Sequence, residues 1–395
     1  CPGGRAVTAL RNRAIVAGVG DSPIGKVPDM SALELCVAAA RAAIADAGLT
    51  VRDIDGLVTA YTMTEPYPVF YGALAEAMGM TLRYGVEQTA GGGTSGVMIH
   101  DAALAVISGR ADAVLVVSGD NRATGMGRDN AVAALAAWGH PDYEYPYGGF
   151  IPAYYALIAQ RYMHTYGATS EDLARVAVTQ RGHALRHPNA HMTKPLTLDD
   201  VLSSKPIASP LRMFDCCLIS DAAGAMVITR AEQAADLPRP PVYLLGVGEA
   251  FTHEHILAAP DLLHSGAGAA ADAANRMAGV GPDAVDFAAL YDCFTITPML
   301  LAEECGLAAP GEAAELWRSG AADLEGRLPI NTHGGMLSHA HAGATGGLFG
   351  SIEAVQQLRG TATGRQVARH EIALVHVEGG IMSNHATMIY GRQPV

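Results

Sequence analysis

From Ala14 to Gly20 the chain is an unbroken apolar run (AIVAGVG) and reads as a buried strand. Ser31 then offers an N-cap for a helix reaching about Gly48, with Ala, Leu and Ile along one face. Asp53 to Ala60 (DIDGLVTA) predicts a second strand. Val86 to Gly96 predicts a strand running into a glycine-rich turn, and a helix follows to about Ser108. Ala113 to Ser118 (AVLVVS) is continuously apolar, as expected of a strand covered on both faces. Strand, helix and strand alternate, which predicts a parallel α/β sheet with right-handed crossovers.

The pattern changes between Asn121 and Ser220. Tyr and Pro cluster from Trp138 to Ile151 and charged helices follow, so this stretch reads as an insertion. Ala223 to Thr229 returns to a strand. The second half then repeats the first. Val242 to Val247 is a strand, and Gly266 to Ala278 an Ala-rich helix. Ala284 to Tyr291 (AVDFAALY) matches Asp53 to Tyr61 (DIDGLVTAY), and Glu371 to Val377 matches the AVLVVS strand. A Gly-rich turn opens a helix near Gly343. Four elements recur in one order, which argues for a duplicated α/β unit over a chance likeness of generic buried strands. The divisions expected are residues 6–120 with 221–235, an insertion over 121–220, and a second half over 240–395. Two such units place ligands at the carboxyl ends of strands, where Gly-rich turns meet helix N-termini.

Composition narrows the field. With 395 residues, 50% of them hydrophobic and only 16% charged, the chain can bury a large core. A net charge of −13 and the lack of any Lys/Arg run argue against a nucleic-acid binder. Arg181 to His187 (RGHALRH) is the best local basic patch for a polyanionic ligand. The six cysteines fit neither a disulfide framework nor a CxxC metal site, which points to a reducing, cytoplasmic setting. Adjacent Cys216 and Cys217 are most simply small core residues. No apolar run approaches the roughly 18 residues of a membrane span. The first five residues, CPGGR, read as a tail.

Several motifs carry a resemblance. Tyr291-Asp292-Cys293-Phe294-Thr295 is similar to the HDCF motif of sterol carrier protein X thiolases, the counterpart of NEAF in other thiolases. Asn331-Thr332-His333-Gly334-Gly335 and Ser338 to Gly346 (SHAHAGATG) resemble the NPSGG…GHPxGATG block, one residue shorter and with Ala342 in place of the proline. His376-Val377-Glu378-Gly379-Gly380 lies where thiolases have CxGGG. AQRYMH (159–164), PIASPL (206–211) and Asp215-Cys216-Cys217 are similar to loop-domain signatures of the same family. The likeness runs from Ile15 to Tyr390. It implies a thiolase fold: two duplicated βαβ-type halves in a five-layer α/β/α/β/α sandwich with a loop-domain insertion.

The departures from the family pattern bear on the chemistry. The thiolase nucleophile sits in a CxxG turn; here the turn is Gly91 to Gly96 (GGGTSG), with Gly93 at the cysteine position. A helix N-terminus would activate a thiol, but glycine has none. Ser95 lacks an adjacent base, so Thr94 and Ser95 read as capping residues. His376 replaces the second thiolase cysteine, and Tyr291 the motif's Asn or His. This combination resembles the lipid-transfer-protein branch, which pairs a YDxF tyrosine with retro-aldol cleavage of β-hydroxyacyl-CoA in steroid side-chain degradation. The branch's second tyrosine, near the glycine block, is absent; His339, His341 and Thr345 stand there.

A retro-aldolase needs a base for the β-hydroxyl, an oxyanion site for the thioester enolate and an acid for the α-carbon. Tyr291 is the candidate for proton transfer and His341 for oxyanion donor or general acid, with His376 assisting. The turns at Gly91–Gly93 and Gly379–Gly380, with His339, are candidate oxyanion or substrate-binding elements. Cys293, two residues from Tyr291, shares its face of a strand and is a weaker candidate nucleophile. His333, His339 and His341 could suggest zinc, but the family site is metal-free, so no metal or cofactor is expected beyond coenzyme A in the substrate. His253 and His255 are assigned no role. An acetyl-CoA acetyltransferase-like activity through another nucleophile, and a non-catalytic acyl-CoA- or lipid-binding subunit, remain as alternatives. The resemblance further implies a homodimer and a separate OB-fold, zinc-ribbon partner forming a heterotetramer.

Overall fold

The computed structural model describes residues 10–127, 133 and 136–395, so the tail at residues 1–5 and the expected start of the first half lie outside the described residues. The first half runs β1 (Ala14–Asp21), α1 (Ala32–Asp46), β2 (Gly56–Ala60), α2 (Phe70–Met78), β3 (Tyr84–Gln88), α3 (Thr94–Ile107) and β4 (Ala113–Asn121). Ser31 caps α1 in a capping box with Glu34, as its sequence position predicts. A short helical turn, Arg122–Gly125, leads into the insertion. There α4 (Ile151–Tyr166), α5 (Ser170–Ala184), α6 (Leu198–Ser203) and the small β5–β6 pair (Pro206–Ala208 and Leu211–Arg212) precede β7 (Asp221–Arg230). The second half runs β8 (Val242–Phe251), α7 (Ala267–Ala278), β9 (Phe287–Leu290), α8 (Ile296–Glu304), α9 (Ala313–Arg318), α10 (Gly335–Ser338), α11 (Gly346–Arg359), β10 (Ile372–Gly379) and β11 (Asn384–Gly391).

The long strands form one nine-stranded sheet in the order β3-β2-β4-β7-β1-β8-β11-β10-β9. Within the sheet the halves meet where Ala14–Val16 of β1 pairs with Val242–Leu244 of β8. Helix α3 packs on β2, β4 and β7 and also against β10 and β11, and α11 lies beside it on β9 and β10. Helix α1 covers the outside of the first half and α7 the outside of the second. The layers are therefore helix, sheet, helix, sheet, helix, as the resemblance implies.

The duplication is visible in how helices meet strands. A Cβ on Gly18 would lie 2.2 Å from the Ala43 carbonyl of α1, and one on Gly246 would lie 2.2 Å from the Ala274 carbonyl of α7. Each half thus seats its Ala-rich outer helix directly on strand backbone, a spacing only glycine permits. The sheet is mixed, against the parallel expectation. β2 pairs parallel with β3 and β4, and β9 with β10. β7, returning from the insertion, is antiparallel to β4 and β1, and β11 folds back on β10 through a tight turn. A hairpin leaves no crossover and cannot be parallel.

Candidate active site

The carboxyl ends of β9 and β10, the turn before α3 and the insertion helix α4 enclose a pocket of about 250 Å³. Its walls are mostly aromatic and aliphatic, with Tyr61, Trp138, Phe150, Tyr155, Ile219 and Phe294 among them. A wider cleft of about 850 Å³ opens beside it and shares Tyr61, Trp138 and Ile151.

Tyr291 is held from both sides. Its N–H donates to the His376 carbonyl at 3.0 Å, extending the β9–β10 pairing by one step. The Asn331 amide clamps the residue before it, accepting from Leu290 N–H and donating to Leu290 O, both at 2.8 Å. The carboxylate of Asp292 accepts from Met336 N–H at 2.7 Å. Pinned in this way, the Tyr291 ring points at Gly92. A Cβ on Gly92 would sit 2.1 Å from the Tyr291 hydroxyl and 2.3 Å from the Glu378 carbonyl. Burial first, then the nearby Cys293 and Glu378, push the phenol well above its usual range, so it stays protonated and acts as a donor. Introducing a thiol by Gly92→Cys is therefore expected to displace Tyr291 and lower stability by about 1–3 kcal/mol, read from denaturant melts, as for other overpacked sites. Unchanged stability would show that Tyr291 does not hold this position.

Four sequence-based assignments change. Gly93 is not a pocket residue: it precedes α3, and a Cβ there would face the Asn384 carbonyl at 3.1 Å. Gly91 and Gly92 line the pocket in its place, two and one residues earlier, where the chain has not yet entered the helix. His376 lies behind the pocket. Its ring meets Thr387 Oγ1 at 2.8 Å and His385 Nδ1 at 3.1 Å, and burial holds it neutral. The reason is depth: His376 pairs with Leu290 within the sheet, and Glu378, two residues on and on the same face, reaches the pocket instead. His339 is also withdrawn, its ring packed on His187 (4.4 Å between centroids) and His333 (5.2 Å). The basic patch lies away from the pocket, with Arg181 buried and Arg186 on the surface. Arg181 donates to Ser338 Oγ at 2.9 Å, and Arg186 pairs with Glu325 at 2.7 Å.

His341, Gly379 and Gly380 do line the pocket. The imidazole of His341 stands edge-on to Tyr291, 6.5 Å between centroids, with Nδ1 3.0 Å from Cys217 Sγ. Loss of solvent and then the Arg122 charge bring it down to about 3, so it is neutral at physiological pH. A Cβ on Gly379 would collide with the Ala90 carbonyl at 2.0 Å, so the two glycine turns meet backbone to backbone. Thr94 holds the first turn, donating to Gly91 O at 2.6 Å and accepting from Ala90 N–H at 2.9 Å. Ser95 faces α11 instead, where a Cβ on Gly347 would lie 2.6 Å from its Oγ.

The sequence reading passed over Glu378, Tyr155, Cys217 and Arg122, all of which line the pocket. Glu378 left one signal, a carboxylate inside the apolar run of β10. Tyr155 left none, since nothing in α4 marks which face turns inward. The three pocket thiols, Cys216, Cys217 and Cys293, are each pushed up by burial, Cys217 to about 12. They are donors and wall residues, not thiolates. Among the described residues no three His, Cys, Asp or Glu side chains converge as a metal site; His333 and His339 touch each other, and His341 lies apart in the pocket.

Residues 248–392 match the family model described as thiolase C-terminal domain-like. A steroid side-chain-cleaving aldolase of Thermomonospora curvata is 35% identical over 380 residues, 90% of this chain and 93% of that protein. A 17-hydroxy-3-oxo-4-pregnene-20-carboxyl-CoA lyase of Mycobacterium tuberculosis is 35% identical over 390 residues, covering 94% and 98% of the two chains. Among solved structures, the Ltp2-ChsH2(DUF35) aldolase superposes with a TM-score of 0.85 at 33% identity, over 97% of this chain and 98% of that one.

Proposed function

The chain belongs to the thiolase superfamily, in the branch that holds the side-chain-cleaving aldolases, and we propose that it cleaves a β-hydroxyacyl-CoA by retro-aldol chemistry without an acyl-enzyme. The observation that carries this reading is the Tyr291 hydroxyl standing against bare Gly92, in the space a nucleophile's side chain would need. The pocket holds no activated thiol, so its chemistry is proton transfer. The neutral His341 imidazole offers an N–H to the thioester oxygen as the enolate forms, beside the positive charge of Arg122. Tyr291, a protonated phenol, delivers a proton to the α-carbon once the carbon–carbon bond has broken. The products are a ketone or aldehyde and a shorter acyl-CoA.

The acyl group we propose is bulky and apolar, because most of the side chains that wall the pocket are aromatic or aliphatic. A fused-ring acyl group, like the pregnene-carboxyl-CoA named for the lyase of Mycobacterium tuberculosis, suits such walls. The reading extends to a homodimer and to a separate OB-fold, zinc-ribbon partner that helps hold the nucleotide, in line with the two-component name of the superposed aldolase. Such a partner would supply basic contacts to the nucleotide that Arg181, buried against Ser338, does not offer. No helix among the described residues is long and apolar enough to cross a membrane.

The test is incubation of the protein, with and without candidate partners, with a panel of β-hydroxyacyl-CoA thioesters, followed by product detection and intact-mass spectrometry. Release of a ketone or aldehyde with no mass added to the protein is the expected result. An acylated cysteine, or a panel left wholly intact, rejects the lyase reading.

A further inference from the structure

Retro-aldol cleavage also needs a group to take the β-hydroxyl proton, and Tyr291 cannot serve while it is held protonated. Glu378 lies at the pocket end of β10, with its side chain among the pocket walls. The residue is only 1% exposed, yet no Lys, Arg or His among the described residues pairs with it. Its partners are neutral donors drawn from different parts of the chain. The Tyr155 hydroxyl of α4 donates to Oε1 at 2.6 Å, the Cys293 thiol donates to the same oxygen at 3.3 Å, and Met382 N–H donates to Oε2 at 3.2 Å. A buried carboxylate without a cation is costly unless its charge is used or easily neutralised.

Resting on the lyase reading, we propose that Glu378 is the catalytic base that removes the β-hydroxyl proton, with Tyr155 as its positioning residue. As the O–H bond breaks, the proton passes to the Glu378 carboxylate. The oxygen lone pair forms the carbonyl, and the Cα–Cβ bond breaks with its electron pair entering the thioester enolate. Tyr291 then gives its proton to Cα, and the Glu378 carboxylic acid returns the proton it took to the phenolate. No proton is gained or lost over the cycle.

The groups facing Glu378 set its titration. They are Tyr155 from α4, Tyr291 and Cys293 after β9, Cys217 from the insertion, and His341 with Arg122 across the pocket. Desolvation outweighs the lowering by the Tyr155, Cys293 and Met382 donors and leaves the carboxyl raised to about 7. The carboxylate is the working form, so activity falls as the pH drops through about 7. Removing the Tyr155 hydroxyl takes away a donor that favours the carboxylate, so the pKa rises.

The experiment measures kcat and kcat/KM against pH for wild type, Glu378→Gln and Tyr155→Phe, on a hydroxyacyl-CoA that the wild type cleaves. We expect Glu378→Gln to lower kcat by about 10²–10⁴-fold with KM little changed. In Tyr155→Phe the acid limb should move to higher pH. If the glutamine variant does not fold, the limb in Tyr155→Phe decides alone. A glutamine variant of near wild-type kcat, or an acid limb unmoved by Tyr155→Phe, overturns the assignment to Glu378 and leaves the lyase reading standing. A wild type that cleaves no hydroxyacyl-CoA rejects that reading and this assignment with it.

Discussion

Tyr291→Phe is expected to lower the rate of hydroxyacyl-CoA cleavage by about 10²–10⁴-fold while the protein still folds and still binds acyl-CoA. The substitution removes one oxygen and leaves the ring. The ring is what packs: Tyr291 is buried, and its backbone is fixed by the His376 carbonyl. Among the described residues no side-chain hydrogen bond is given up, since the hydroxyl is aimed at the bare face of Gly92 and into the pocket. A large loss in kcat with little change in melting temperature would mark the phenol as chemical. Wild-type turnover in the phenylalanine variant would reject its role. Steady-state kinetics and a thermal melt on the same preparation make the comparison.

The second large effect concerns stability, behind the site. Arg365→Leu is expected to cost about 3–5 kcal/mol, because it strands a buried charge. Arg365 and Glu353 are each only 3% exposed and meet at 2.7 Å. The carboxylate of Glu353 also accepts from Thr332 Oγ1 at 2.6 Å and from Gln357 Nε2 at 2.9 Å. Burial alone would raise this carboxyl; the Arg365 charge and hydrogen bonds overcome that and bring it down to about 2. A depressed carboxyl pKa stabilises the fold above the unfolded value near 4.5, and that contribution is lost as pH falls from there toward 2. In Arg365→Leu the same carboxyl, now uncompensated, is raised, and its penalty is relieved on acidification. The gap between wild type and variant should therefore narrow as the pH is lowered from 7 to 4. Urea melts across that range would show it. A constant gap, or one below about 1 kcal/mol, would mean the pair is not a charged buried bridge. Thr332 adjoins Asn331, whose amide clamps the residue before Tyr291, so the bridge also stiffens the segment that aims the phenol.

Much of the fold was legible because it depends on local rules. Apolar runs of strand length, an N-cap at Ser31 and glycines spaced along β1 and β8 are each written in a few consecutive residues. Strand direction was less legible. That β7 runs antiparallel follows from where the insertion returns the chain, which no window around Ala223–Thr229 records. At the site, Tyr291 and His341 were found through motif position, whereas His376 and His339, chosen in the same way, lie outside the pocket. Alternation along β10 puts His376 and Glu378 on one face, but the sequence carries no measure of how far up the strand the pocket begins.

By itself the sequence determined the architecture and one chemical negative: a glycine turn with no thiol before α3. Both follow from residue identity and short-range geometry, which the chain carries locally. The tertiary structure decided which polar groups share a pocket. It set Tyr155 against Glu378, 223 residues apart, and set Tyr291 against Gly92 across the two halves. Such pairs exist only once the two halves have packed and the insertion has folded over the sheet ends, because a contact between distant segments is set by packing and leaves no periodic trace in either one.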